Sequence, residues 1–118
     1  MNVSTISTAD ETSLAGLFSL LGNPARLQIL LILGEGEACV CHLKDALSQR
    51  QAYISQQLMV LRKAGLVSAV RKGRHIYYRL ARPDVLDIVR STARIYGVDL
   101  ESAPIEPVPG CPFPGETN

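Results

Sequence analysis

A chain of 118 residues, 47% of them hydrophobic, is the size of one domain with a real core. No apolar run nears the roughly 20 residues that span a bilayer, and the start, MNVSTISTADE, lacks a signal peptide's basic and apolar stretches. A cytoplasmic protein with no membrane partner is therefore expected, and three cysteines in a reducing compartment argue against a disulfide scaffold.

The net charge of +1 is an average over an uneven chain. Residues 46–83 contain no Asp or Glu and hold eight of the twelve Lys and Arg residues. A basic third in a neutral protein forms a face suited to a polyanion.

Residues 1–9 are polar and read as a loose N-terminus. From Asp10 the pattern turns helical, with Leu14, Leu17, Phe18 and Leu21 at i, i+3, i+4 and i+7. Gly22 and Asn23 end this first helix, and Pro24 suits the first turn of a second, capped by Asn23. That second helix, "PARLQILLIL", is apolar on most sides and belongs in the centre of the core. A short third helix fits "VCHLKDAL", and "SQR" is a tight connection. A fourth helix fits "QAYISQQLMVLRKA", with Ile54, Leu58 and Leu61 on one stripe and Gly65 as its closing residue.

Residues 66–70 are apolar and rich in strand formers, "RKGR" supplies a turn around Gly73, and "HIYYRL" reads as a returning strand. Of Tyr77 and Tyr78, strand alternation buries one and exposes the other. Pro83 opens a fifth helix, with Asp84 and Asp87 in its first turn, and Gly97 ends it. The domain thus spans residues 10–97. Residues 98–118 are a proline-rich tail.

Two short helices joined by a tight turn and followed by a basic-tipped hairpin make a winged helix-turn-helix. The fold class is mainly α with a β-hairpin wing. The fourth helix would enter the major groove of double-stranded DNA. Gln51, Ser55, Gln56 and Gln57 on its outer face can both donate to and accept from base edges. Tyr53 can stack on sugar or touch a thymine methyl. Arg71, Lys72 and Arg74 in the wing would sit against backbone phosphate or the minor groove, and Arg62 at the helix end and His75 in the wing would meet phosphate. An enzyme is not expected, because no nucleophile–His–acid arrangement and no phosphate loop is present.

The segments "LGNPARLQILLIL", "CVCHLKDAL", "ISQQLMVLRKAGLV" and "RKGRHIYYRL" resemble the ArsR/SmtB family of winged-helix repressors, in order, across residues 14–95. The resemblance implies a homodimer that binds operator DNA and releases it when an ion or oxidant binds. It also implies that the first and fifth helices pair across the dimer, so that Leu14, Leu17, Phe18, Val85, Ile88 and Val89 contribute to the interface. The regulated genes would form a detoxification operon.

"EACVCHL", residues 37–43, resembles the "ELCVCDL" box of the arsenic-responsive members. Cys39 and Cys41 match its cysteines. A third cysteine of that box would fall at Lys44 and is missing, and His42 replaces an acid. Cys39 and Cys41 are candidate ligands for a soft ion, with Cys111 in the tail as third ligand, then His42, then water. Such a trigonal site suits As(III), with Cd(II), Pb(II) and Zn(II) as alternatives. The redox alternative oxidises Cys39 or Cys41 and pairs it with Cys111. His42 itself is expected on the helix surface. Residues two apart on a helix point about 200° apart, so joint action of the two thiols is expected to unwind or shift the helix start.

Overall fold

The structure, a computed structural model, describes residues 5–100. Its elements are α1 (Thr8–Leu21), α2 (Pro24–Leu33), β1 (Ala38–Cys39), α3 (Val40–Leu47), α4 (Gln51–Lys63), β2 (Val67–Lys72), β3 (His75–Leu80) and α5 (Val85–Ile95). Among the described residues no single helix is long and apolar enough to cross a membrane.

Local chemistry sets most boundaries. α1 begins at Thr8, two residues before the expected Asp10, because the Ser7 side chain accepts the Asp10 N–H at 3.1 Å. The Asn23 side chain accepts the Arg26 N–H at 3.1 Å, and Pro24 sits in the first turn of α2, as its sequence predicts. The chain bends by 87° between α1 and α2. α4 ends in a glycine-closed motif. Gly65, at φ +79°, donates to the Arg62 carbonyl at 3.0 Å, and Leu66 donates to the Leu61 carbonyl at 3.1 Å. Leu66 is buried just beyond it.

The connection between α3 and α4 closes in the same way, without a glycine. Ser48 takes up the left-handed conformation at φ 52°, and the N–H groups of Ser48 and Gln49 donate to the Asp45 and Lys44 carbonyls. α5 starts at Val85 rather than at Pro83. Just before it, Arg82 forks onto Asp84, with contacts of 2.7 and 3.2 Å. That hydrogen-bonded guanidinium holds the Asp84 carboxyl below its ordinary range.

The wing is larger than the hairpin read from the sequence. β2 and β3 pair antiparallel with Lys72 opposite His75, and Gly73 carries the two-residue turn at φ +65°. A third strand, β1, adds to the other edge of β3 in the order β1-β3-β2, placing Ala38 opposite Tyr78 and Cys39 opposite Tyr77. Tyr77 is buried and Tyr78 half-buried. The core is formed by Ile29 and Leu30 of α2, Leu43 of α3, and Ile54, Leu58 and Leu61 of α4, all fully buried. Each such side chain contributes roughly 1.5–3 kcal/mol. This core fixes α3 and α4 relative to each other and leaves the outer face of α4 to solvent.

Candidate DNA-binding face and thiol site

On α4, Gln51, Ser55, Gln56 and Arg62 are exposed, and Tyr53 is half-buried beside Pro24, Ala25, Gln28, Leu47 and Gln49. Gln57 corrects the expectation drawn from the sequence. It is only 6% exposed, and its Oε1 accepts a hydrogen bond from the Arg26 Nε at 2.7 Å. Positions 54, 57, 58 and 61 share one helical stripe, so Gln57 points with Ile54, Leu58 and Leu61 into the protein. That spacing is the signal in the sequence that identifies it.

In the wing, Arg71 and Arg74 are exposed and make no ion pair among the described residues. Lys72 is engaged. Its Nζ lies 2.8 Å from Glu37 Oε2 and 5.8 Å from the centre of the Tyr77 ring. Arg79 approaches the other Glu37 oxygen at 3.8 Å. His75 is half-buried, edge-on to Tyr77, with ring centres 6.2 Å apart.

The cysteine box begins in a strand. Cys39 ends β1 and is the N-cap of α3, with extended backbone at φ −93° and ψ 171°. Cys41 lies in the first turn of α3, and the two form a disulfide. The expectation that the start of α3 must unwind or shift for both sulfurs to act together is corrected by this geometry, since α3 keeps its expected bounds, Val40–Leu47. Only Cys41 is helical, and the extended residue at 39 brings its sulfur to the same side. The third member is His42, which is fully buried rather than on the helix surface. Its Nδ1 accepts the Cys39 backbone N–H at 3.1 Å and lies 3.3 Å from the Cys39 sulfur. Cys39 and His42 thus occupy the two ends of a capping box. One donor atom from each of Cys39, Cys41 and His42 falls within 4.8 Å of the others. Two soft sulfurs and an imidazole suit a soft or borderline ion once the disulfide is reduced. Cys111 lies outside the described residues.

Of the expected interface residues, Leu14 and Phe18 of α1 are exposed, Phe18 at 63%, and Leu17 and Ile88 are half-buried. Val85 is corrected: it is 3% exposed and belongs to the protomer's own core. Val89, also buried, lines a cavity of about 380 Å³ between α1, α2 and α5. Ile95, Tyr96, Val98 and Leu100 extend the exposed apolar surface beyond the residues named from sequence.

Residues 23–69 match the family model described as "Bacterial regulatory protein, arsR family". The chain is 39% identical over 88 residues to a "Transcriptional repressor SmtB homolog" of Synechocystis, covering 75% of this chain and 67% of that protein. The chain belongs to the ArsR/SmtB family. It is also 46% identical over 66 residues to the "Arsenical resistance operon repressor" of Escherichia coli, covering 55% of this chain and 56% of that one. Its fold matches the homodimeric winged helix-turn-helix DNA-binding domain of a possible ArsR-family regulator from Mycobacterium bovis. The TM-score is 0.69 at 32% identity, covering 86% of this chain and 94% of that one. Members of this family are transcriptional regulators, and this chain is an ArsR-family transcriptional repressor with a winged helix.

Proposed function

We propose that this repressor works as a homodimer on operator DNA in the cytoplasm, and that Cys39 and Cys41 are its inducer site, with As(III) as the inducer. The observation that carries the reading is the placement of Cys39 at the junction of β1 and α3. One thiol of the pair is joined to the wing sheet and the other to the first helix of the helix-turn-helix. Ligation of both re-sets the junction between the two DNA-contacting parts.

In the reduced state, As(OH)₃ would exchange hydroxide for thiolate at Cys39 and Cys41, releasing water. The third position falls to Cys111 or to His42. Cd(II), Pb(II) and Zn(II) can use the same donors. The "Arsenical resistance operon repressor" is a relative whose name supports the arsenic reading. On the DNA side, Gln51, Tyr53, Ser55 and Gln56 read bases, while Arg62, Arg71, Lys72, Arg74 and His75 meet phosphate. Leu14, Leu17, Phe18, Ile88 and Val89 face the second subunit.

The Cys39–Cys41 disulfide favours a second reading, a thiol redox switch. Two thiols would give up two electrons and two protons to hydrogen peroxide, forming the disulfide and two waters.

Fluorescence anisotropy of the reduced protein on a duplex it selects from a random-sequence pool tests both readings. As(III), Cd(II), Pb(II), Zn(II) and hydrogen peroxide are added separately. Release by As(III) supports the metalloid reading. Release by peroxide alone, reversed by dithiothreitol, supports the redox one. Failure to select any duplex overturns operator binding.

A further inference from the structure

Gln57 lies on the DNA-reading helix but does not face DNA. Its side-chain carbonyl accepts from Arg26 Nε at 2.7 Å, and Gln57 is 6% exposed. Arg26 is itself half-buried, and its Nη1 donates to the Leu20 carbonyl, in the last turn of α1, at 3.3 Å. The Arg26 backbone N–H is held by Asn23 at the bend between α1 and α2. One guanidinium therefore ties three elements: α1, with its exposed Leu14 and Phe18; the start of α2; and the middle of α4.

We propose that Arg26 and Gln57 are a positioning pair that sets the angle of α4 relative to α1, and through α1 relative to the partner's α4. The inference rests on the operator-binding reading. Leu58 and Leu61 anchor α4 by apolar contact, which is non-directional and leaves a helix free to rotate by small amounts about its axis. A charge-assisted hydrogen bond is directional and short, and so fixes that rotation. Two major grooves must be entered at once by a dimer, so a small error in each α4 angle is felt at both half-sites. Arg26 also consumes the amide carbonyl that a base edge would otherwise need.

The test uses the full-length dimer and a duplex selected by the wild-type protein from a random-sequence pool. Gln57→Met fills the same space without an acceptor, and Gln57→Glu keeps one. We expect Gln57→Met to weaken binding about tenfold, the size of one charge-assisted hydrogen bond. The slope of affinity against salt should not change, because no phosphate contact is lost. Gln57→Glu should restore affinity. Arg26→Lys should reproduce the loss, and the double variant Arg26→Lys/Gln57→Met should lose no more than either alone.

Unchanged affinity in Gln57→Met, or additive losses in the double variant, would overturn the proposal. So would a relaxed preference at a single base pair with no rescue by glutamate, since that identifies a direct base contact. If Gln57→Met does not fold by near-ultraviolet circular dichroism, Arg26→Lys tests the pair with Gln57 in place, and unchanged affinity there overturns the proposal equally. If the wild-type protein selects no duplex, operator binding fails and not the pairing of these residues.

Discussion

Cys39 of β1 stands directly across from Tyr77 of β3, and its N–H is taken by the Nδ1 of His42 in α3 at 3.1 Å. The first thiol of the cysteine box is thereby built into the wing sheet and into the helix-turn-helix at once. His42→Leu keeps the bulk but leaves the buried Cys39 N–H without that acceptor. Such a loss costs about 1–3 kcal/mol, to be read as a drop in the urea midpoint with unchanged slope. His42→Asn, which keeps an acceptor at the same helix position, should recover part of it.

The turn between α3 and α4 holds a serine in the left-handed conformation, at φ 52°. A side chain there costs roughly 1–2 kcal/mol, and glycine relieves that cost while losing part of the gain to its greater freedom in the unfolded chain. Ser48→Gly should raise stability by about 0.5–1 kcal/mol. Chemical denaturation checks this, and a decrease would mean that the serine hydroxyl supports the turn.

Phe18 and Tyr96 are 63% and 78% exposed in the single chain, and both line the cavity between α1 and α5. Phe18→Glu should leave the protomer folded and shift sedimentation from dimer to monomer. An aromatic interface anchor is worth at least about 2 kcal/mol, so the dimer dissociation constant should rise by more than tenfold. Operator affinity should fall with it.

Arg74 and Gln56 should fail differently. Arg74→Ala removes an exposed cation from the wing tip, one with no ion pair among the described residues. It should weaken binding to all duplexes alike and lower the salt slope by about 1. Gln56→Ala should leave the slope alone and cost about 1–3 kcal/mol at one base position. Binding titrations at several salt concentrations on matched and mismatched duplexes separate the two.

The bounds of α2, α3 and β3 follow the sequence closely, because each is set by neighbours in the chain: Asn23 and Pro24, the apolar pattern of "VCHLKDAL", the turn at Gly73. β1 is not legible in this way. It is two residues long, and its partner Tyr77 lies across α3, α4 and β2. The apolar pattern starts α3 at Val40, but without β1 nothing in the sequence marks Cys39 as extended. Treating the two cysteines as residues of one helix gives the expectation that its start must unwind or shift. His42 reads as a surface residue because its acceptor role depends on the Cys39 backbone. Gln57 reads as a DNA contact because glutamine is polar, although its spacing from Ile54 and Leu61 puts it on the buried stripe. Val85 reads as interface by likeness to the family and packs in the protomer core instead.

Control of DNA release by Cys39 and Cys41 is best checked with the reduced Cys39→Ser/Cys41→Ser variant on the selected duplex, using whichever reagent releases the wild-type protein. Serine is a good N-cap at position 39, so the fold and the DNA affinity should be retained. The expected result is wild-type binding and no release at any reagent concentration. Release of the variant at the wild-type concentration would contradict thiol control and move the inducer site elsewhere in the chain.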